Sequence, residues 1–224
     1  MNKINITRIF IVGIKGYLGR SLNKKLKINK KFKVVNSEQK KRIDFSNLSI
    51  SKKILSQSNP DLIINCAAKT NIDFCEKNKK ISYNSNAKIV KNLSLFCLKK
   101  KIKLIHISTD HLYNRNKRLN TESSNSILNY YSYSKLKGEN YAKKCNSLIL
   151  RTNFFGYDKK KNSLINWILI SSKKNKNIKF FKNIYFSPLY IETLIKIIIK
   201  LFSSKKKGIY NIGSNNEISK SNFL

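Results

Sequence analysis

The sequence predicts an α/β protein built on a doubly wound parallel sheet. Short apolar runs alternate with segments of helical periodicity along most of the chain. A glycine-rich turn follows the first apolar run directly, and small or hydroxyl-bearing residues follow two of the later runs. Alternating strands and helices are typical of a parallel sheet that helices cover on both faces, with a ligand at the carboxyl ends of its strands.

The elements are predicted in chain order from these patterns. Residues 8–12 form the first strand, and Leu18, Leu22 and Leu26 predict a helix over 18–28 because their spacing places them on one face. A second strand is predicted at 32–35. A short helix over 50–58 stops at Asn59-Pro60, since a residue before proline disfavours helical backbone. Further strands are predicted at 61–68, 103–107, 147–150 and 208–213, and further helices at 82–99, 130–144, 164–170, 190–202 and from Ser219 onward.

Composition indicates one domain, or one domain with a small appendage. A length of 224 residues with 41% hydrophobic residues is enough for a core. The formal charge of +36 is extreme, but only six of the 47 basic residues are Arg, and Lys is spread along the whole chain. A nucleic-acid-binding protein is expected to concentrate Arg in a stripe with aromatic residues. We therefore expect no specific nucleic-acid partner.

The remaining compositional features favour a cytoplasmic protein. Its four cysteines have no spacing typical of metal ligands, so we expect reduced thiols and no metal site. The N-terminal apolar run is too short for a signal peptide. The apolar segment 190–202 contains three charged residues, which predicts an amphipathic helix and no membrane span.

The glycine turn over residues 13–19 predicts a site for the pyrophosphate of a dinucleotide. Gly13, Gly16 and Gly19 are three of the seven glycines of the chain, and they lie between a predicted strand and a predicted helix. Glycine lets the backbone approach a phosphate, and the free N–H groups at a helix N-terminus attract its charge. The spacing differs from the G-x-G-x-x-G of many dehydrogenases, so an ordinary strand-to-helix turn is the alternative.

A tyrosine and a lysine four residues apart on a helix suit a carbonyl reductase. Such positions share one helix face, and an ammonium group lowers the pKa of a tyrosine that protonates the carbonyl oxygen. Because Lys is abundant, the spacing alone is not specific. Four pairs occur: Tyr113/Lys117, Tyr131/Lys135, Tyr133/Lys137 and Tyr157/Lys161.

The surrounding residues favour Tyr131 and Lys135. This pair opens a predicted helix that follows the strand end at 108–110, and Gly138 would let that helix pack closely against the sheet. Thr109, at that strand end, is expected to hydrogen-bond the tyrosine or the substrate carbonyl. Lys135 is expected to hold down the pKa of Tyr131.

Further motifs accompany these two along nearly the whole chain. They are Asp44-Phe45, the segment 65–73 (NCAAKTNID), Glu76, Ser108-Thr109-Asp110, the segment 131–139 (YSYSKLKGE), Leu150-Arg151-Thr152, Ser187-Pro188 and the segment 208–211 (GIYN). Together with the glycine turn, this set resembles the extended short-chain dehydrogenase/reductases, and within them the dTDP-4-dehydrorhamnose reductase family.

The resemblance implies a Rossmann fold and an NAD(P)-dependent oxidoreductase. The implied reaction reduces the 4-keto group of a nucleotide-linked deoxysugar in dTDP-L-rhamnose biosynthesis, with NADPH or NADH as the cofactor. The implied catalytic residues are Tyr131, Lys135 and Thr109. Implied cofactor-binding residues are Gly13, Lys15, Gly16, Tyr17, Leu18, Gly19, Asp44, Phe45, Cys66, Ala67, Ala68, Thr70, Tyr131 and Lys135, and implied substrate-binding residues are Thr109, Asp110 and Asn153.

Several positions depart from the pattern of the family. His111 stands where these reductases usually carry an aromatic residue and where related dehydratases carry a catalytic Glu. Cys66 replaces a small residue. Asn36 stands where an acid often binds the ribose, and Lys15 with the basic cluster 40–42 favours a 2′-phosphate, with solvated surface charge as the alternative.

We expect a dinucleotide-binding domain over 1–152 and a partial substrate-binding lobe over 153–224, since the family usually continues some tens of residues further. The late strand 208–213 is expected to return to the sheet. A nucleotide sugar is the expected partner, and a homodimer is left open. Two alternatives are a sugar-nucleotide epimerase or dehydratase on the same scaffold and a non-catalytic nucleotide-binding relative. The lack of Glu at position 111 counts against a dehydratase.

Overall fold

A six-stranded parallel sheet forms the centre of the computed structural model, which describes residues 6–36, 38, 42–113, 120–158, 163–174 and 182–223. The strands are β1 (Thr7–Val12), β2 (Phe32–Val34), β3 (Leu62–Asn65), β4 (Lys103–Ile107), β5 (Ser147–Thr152) and β9 (Gly208–Ile212). Their order in the sheet is β2-β1-β3-β4-β5-β9, and every neighbouring pair is parallel. The chain therefore moves to one side of β1 and then to the other, and the predicted doubly wound fold is confirmed.

Helices cover both faces of the sheet. Alternate residues of β1 point to opposite faces, so Ile9 and Ile11 pack with one helix layer while Phe10 and Val12 pack with the other. All four side chains are buried, as expected for strands of a parallel sheet. The first layer holds α1 (Tyr17–Lys27) and α8 (Ile191–Lys200), and the second holds α2 (Leu48–Ser58), α5 (Ile89–Lys100) and α6 (Tyr130–Ala142).

Polar side chains define where several helices begin. Asn47 Oδ1 accepts a hydrogen bond from the Ile50 N–H at 3.1 Å at the start of α2. Asn129 Oδ1 accepts one from the Ser132 N–H at 2.8 Å at the start of α6. Such caps satisfy N–H groups that have no partner within the helix. Helix α1 instead begins at Gly16, which has no side chain to cap it.

The predicted helix over 82–99 has a more complex form. The chain is helical from α3 (Ile72–Lys77) and α4 (Lys79–Tyr83) through a π-helical turn at Asn84–Lys88 into α5. The periodicity of apolar residues missed α3, because this short helix buries only Cys75. A π-helical turn inside a helix often marks a functional site.

The late part of the chain forms small sheets and two further helices. Strand β6 (Phe154–Phe155) pairs with β8 (Leu189–Tyr190), and β7 (Tyr185–Phe186) pairs with β10 (Ile218–Ser219). Of the helix expected from Ser219, the described residues contain one capped turn, in which Ser219 accepts from the Asn222 N–H at 3.1 Å through its Oγ and from the Phe223 N–H at 3.0 Å through its carbonyl oxygen. This turn places Phe223 against Phe186 and Phe155. Helix α7 (Leu164–Lys173) buries the polar residues Asn166 and Ser171 and exposes apolar ones: Leu164, Trp167, Leu169 and Ile170. Among the described residues, every helix is too short or too polar to cross a bilayer.

Gly138 permits a close approach between helices, not between a helix and the sheet as predicted. A Cβ atom at Gly138 would lie 2.3 Å from the Asn86 carbonyl oxygen in the π-helical turn and 3.4 Å from a Val90 methyl. Helix α6 therefore lies directly on the turn that precedes α5. The sequence could not show this, because both helices pack on the same sheet face and either contact would require glycine.

Gly138→Ala is expected to destabilise the protein by about 1–3 kcal/mol, because the added methyl overlaps a backbone carbonyl that cannot move aside. Asn140→Ala, at an exposed position of the same helix, is the matched control and should change stability by less than about 0.5 kcal/mol. Urea unfolding followed by circular dichroism measures both. Equal midpoints for the two variants would contradict the close packing.

Candidate active site

The three glycines of the turn after β1 have different roles. Gly13 has a φ of +80°, and a Cβ there would lie 2.6 Å from the Ala67 backbone nitrogen. A Cβ at Gly19 would lie 2.3 Å from the Gly13 carbonyl oxygen. At Gly16 it would meet, among the described residues, only that same oxygen, at 3.1 Å. Gly13 and Gly19 therefore shape the turn, and the described part of the chain leaves the space around Gly16 open at the N-terminus of α1.

Side chains next to the glycines tie the turn to the late part of the chain. The Tyr17 hydroxyl donates to the Tyr157 carbonyl oxygen at 3.2 Å, and burial is the main cause that raises the pKa of Tyr17 to about 12. Arg20 forms an ion pair of 2.6 Å with Asp158 and also bonds the Lys15 carbonyl oxygen. Leu18 is buried in the hydrophobic core. Leu18 could thus contact a cofactor only through its backbone.

Asp44 and Phe45, two of the predicted cofactor-binding residues, differ in the same way. Phe45 is buried against Phe10, with ring centroids 5.6 Å apart in an edge-on arrangement. Asp44 is exposed, and its Oδ1 accepts a hydrogen bond from the Ser46 N–H at 2.9 Å. Phe45 therefore packs the core beneath the site while the Asp44 carboxylate remains at its surface.

Position 36, after β2, carries Asn in place of the acid that often binds the ribose. Asn36 instead bonds both backbone groups of Ile11, with its Oδ1 accepting at 3.1 Å and its Nδ2 donating at 2.9 Å. Of the basic cluster 40–42, Arg42 is exposed. Lys40 and Lys41 lie outside the described residues.

The loop after β3, which contains Cys66, Ala67, Ala68 and Thr70, is fixed from both ends. Asn65 Oδ1 accepts from the Ala67 N–H at 3.1 Å. Asn86 in the π-helical turn bonds the Lys69 N–H at 2.7 Å and its carbonyl oxygen at 2.9 Å, and also donates to Ser134 Oγ at 2.9 Å. Asn86 thus links this loop to α6. In a chain rich in Asn, no sequence signal distinguishes it.

The predicted catalytic residues come together at the carboxyl end of β4. Thr109 is 4% exposed, Tyr131 6% and Lys135 1%. The Lys135 Nζ donates to the Ile107 carbonyl oxygen at 2.7 Å, and Thr109 hydrogen-bonds the Tyr131 side chain. The glycine turn, the loop after β3 and this cluster all follow adjacent strands, so they share one edge of the sheet.

The pKa of Tyr131 differs from the sequence expectation. Burial raises it, and the group that opposes this rise is Thr109, through its hydrogen bond, not Lys135. Lys135 donates to the backbone of β4. Burial lowers the pKa of Lys135 to about 8, against the opposing effects of Glu139 and Cys66. Tyr131 therefore keeps its proton at neutral pH and can donate it.

The other predicted substrate residues lie beside this cluster. Asn153 Nδ2 donates to Asp110 Oδ2 at 3.1 Å, which joins the ends of β4 and β5. His111 packs its ring edge-on against Tyr131, with centroids 5.6 Å apart. His111 therefore lies at the site, beside the proposed proton donor.

The competing pair Tyr133/Lys137 lies outside the cluster. Lys137 is exposed, and its Nζ lies 5.4 Å from the centre of the Tyr133 ring. The partners Lys117 and Lys161 of the two remaining pairs lie outside the described residues. Among the pairs described in full, Tyr131/Lys135 is therefore the buried one.

A buried ion pair beneath the cluster was not assigned a role from the sequence. Arg151 Nη2 lies 2.8 Å from Glu139 Oε2, and both side chains are fully buried. Glu139 also accepts from Ser108 Oγ at 2.5 Å. The sequence did contain a signal for this pair: periodicity places Glu139 on the buried face of its helix and Arg151 in a buried strand, and buried charges are usually paired. Within the described ranges, no group of His, Cys, Asp and Glu could hold a metal.

The parallel sheet, its strand order and the glycine turn define a Rossmann-type α/β protein. A family model described as "RmlD substrate binding domain" matches residues 7–223, and the chain belongs to this family. The resemblance to dTDP-4-dehydrorhamnose reductases is confirmed. One such reductase, from Aggregatibacter actinomycetemcomitans, is 27% identical over 221 residues, which are 92% of this chain and 73% of the relative.

Solved structures agree with this assignment. A dTDP-4-dehydrorhamnose reductase from Bacillus anthracis, in complex with NADP, is 27% identical with a TM-score of 0.87 over 97% of this chain and 78% of that chain. A hypothetical dTDP-4-dehydrorhamnose reductase from Sulfolobus tokodaii is 30% identical with a TM-score of 0.81 over 96% and 78%. The chain thus spans about three quarters of these relatives.

Lys135→Met is expected to stabilise the protein at neutral pH. The pKa of Lys135 is near 8 in the folded state and 10.5 ordinarily, so below pH 8 folding buries a charged ammonium at a cost in free energy. The difference corresponds to about 3 kcal/mol, and loss of the hydrogen bond to Ile107 leaves a gain of about 2 kcal/mol. The gain should disappear between pH 8 and 10.5, because there the unfolded parent binds the proton and the folded parent does not.

Urea unfolding of the parent and the variant at several pH values measures this difference. Lys137→Met, at an exposed position of α6, is the control and should show neither the gain nor its pH dependence. A gain that stays constant up to pH 10.5 would contradict a buried, titrating Lys135.

Proposed function

We propose that this chain reduces the 4-keto group of a nucleotide-linked deoxysugar with NADPH, as the names of its reductase relatives indicate. The observation that carries the proposal is the convergence of Thr109, Tyr131 and Lys135 on one buried cluster at the end of β4. This cluster shares the edge of the sheet with the glycine turn. A hydride acceptor, a proton donor and a dinucleotide would therefore meet at one place.

The residues at the glycine turn fit a dinucleotide. Within the described ranges, a Cβ at Gly16 would make one contact, of 3.1 Å, and α1 follows Gly16 without a side-chain cap. Backbone N–H groups at this end of α1 would hold the pyrophosphate. Asn36, whose side chain is committed to the Ile11 backbone, offers no carboxylate against a 2′-phosphate, which favours NADPH over NADH.

Tyr131, Thr109 and Lys135 have different roles in protonating the carbonyl oxygen. NADPH, when bound, supplies the hydride that adds to the C4 carbonyl carbon. The Tyr131 hydroxyl, which burial keeps protonated, donates its proton to the carbonyl oxygen. Thr109 hydrogen-bonds Tyr131 and so fixes the direction of the hydroxyl and stabilises the phenolate left behind. The Lys135 ammonium, bonded to the Ile107 carbonyl oxygen, adds a positive charge to the buried cluster.

The arrangement of the late chain supports a role in holding the sugar. Asp110 and Asn153 bond each other at the ends of β4 and β5, and we assign them to the substrate. We also assign the chain to the extended short-chain dehydrogenase/reductase type. Residues 1–152 form its dinucleotide-binding domain, and 153–224 supply the substrate side.

Tyr131→Phe is expected to lower kcat by about 10²–10⁴-fold, because it removes the proton donor and leaves the ring packing intact. Binding of NADPH should be largely unchanged. Tyr133→Phe is the matched control, since Tyr133 lies two residues away on the outer side of α6 and should retain turnover. The assay follows NADPH consumption with a dTDP-linked 4-keto-6-deoxy sugar. Loss of turnover in the control but not in Tyr131→Phe would show that the donor is misassigned.

Gly16→Val is expected to abolish NADPH binding in a protein that still folds. The Cβ itself fits with a small displacement, but its two methyl groups would occupy the space that the pyrophosphate needs. Lys24→Val, at an exposed position of α1, controls for a β-branched residue in the helix. Fluorescence titration measures affinity, and circular dichroism verifies folding. Parental affinity in folded Gly16→Val would remove the glycine turn from the site.

A further inference from the structure

Helix α6 bonds the end of β4 through three side chains that lie four residues apart. Positions at this spacing share one face of a helix. Three consecutive residues of the strand end receive them, so the helix and strand are fixed in a single register. The pairs are Tyr131 with Thr109, Lys135 with Ile107 and Glu139 with Ser108.

The third of these side chains, Glu139, is fixed by three hydrogen bonds to its carboxylate. Its Oε1 accepts from Ser108 Oγ at 2.5 Å and from Arg151 Nε at 2.9 Å, and its Oε2 accepts from Arg151 Nη2 at 2.8 Å. Arg151 also donates hydrogen bonds to the loop that contains Glu122, Ser124 and Asn125. Because burying two charges costs several kcal/mol per ion, hydrophobic side chains could serve the fold equally well here.

Lys135 faces three titratable groups from three elements. Glu139 lies one turn along α6, Cys66 in the loop after β3 and His106 on β4. Burial raises the pKa of the Cys66 thiol to about 12 and lowers the pKa of His106 well below its usual range, so both are neutral. Of the three, the Glu139 carboxylate alone carries a charge that favours the ammonium form of Lys135.

We propose that Glu139 is a positioning residue for the reduction: its carboxylate lies one turn from Lys135 on the same face of α6, and its hydrogen bond to Ser108 fixes the neighbouring Thr109. The proposal rests on the proposed function for its role in the reaction. Arg151 fixes the carboxylate in one orientation through two hydrogen bonds. Glu139 itself lies beneath the cluster and acts through Lys135 and the strand end.

Glu139→Gln tests the electrostatic part, because glutamine keeps the shape and removes the charge. The Lys135 titration is followed by NMR of proteins labelled at lysine Cε, and the resonance is assigned by its loss in Lys135→Met. We expect its midpoint to fall by about 1–3 pH units, the usual effect of losing an opposite charge at close range. The alkaline limb of the kcat–pH profile should move in the same direction.

Two further variants separate position from charge. Glu139→Gln/Arg151→Met removes the unpaired Arg151 that would otherwise destabilise the single variant, and it should show the same lowered midpoint. Ser108→Ala removes the hydrogen bond and keeps the charge. It should lower kcat by about 5-fold while leaving the Lys135 midpoint unchanged.

The outcomes are distinguishable. A parental Lys135 midpoint in either folded Glu139 variant overturns the proposal, and so does failure of the double variant to fold, since the pair would then serve folding itself. The NMR titration needs no turnover. A parent protein that consumes no NADPH with a 4-keto sugar nucleotide therefore counts against the proposed function and leaves the titration to decide this inference.

Discussion

The contact between helix α6 and the end of strand β4 is the interaction on which the rest of the site depends. It brings two buried charges, Lys135 and Glu139, against the Ile107 carbonyl oxygen and the Ser108 hydroxyl at the end of β4. Such charges are tolerated inside a protein only when partners satisfy them, and Arg151 completes the set. Gly138 makes the contact possible, because any side chain there would push α6 away from the π-helical turn.

The topology of the sheet places the glycine turn and the loop after β3 beside this contact. Strands β1, β3 and β4 are neighbours, so the glycine turn, the loop after β3 and the end of β4 follow one another along a single edge. Asn86 joins the loop after β3 to α6 by bonding both backbone groups of Lys69 and the Ser134 hydroxyl. Hydrogen bonds therefore connect the loop that we propose for the cofactor with the helix that carries the proposed proton donor.

Most of the fold could be predicted because apolar periodicity and strand-end motifs agreed. The sequence also selected Tyr131 and Lys135 over Tyr133 and Lys137, and the structure buries the selected pair. It missed what depends on tertiary contact: the π-helical turn, the partner of Gly138, and the burial that raises the pKa of Tyr131 where Lys135 was expected to lower it. Asn86 was out of reach because its role comes from geometry, and Asn is common throughout the chain.

We propose that this chain catalyses hydride transfer from NADPH to a keto sugar at the cluster beside α6. A direct test uses NADPH carrying deuterium at the transferred position, with a dTDP-linked 4-keto-6-deoxy sugar as the acceptor, and analyses the sugar by mass spectrometry and NMR. We expect one deuterium at C4 of the product and an equal amount of NADP. Recovery of unchanged keto sugar, or of an epimerised sugar without deuterium, from a protein that binds NADPH would contradict it.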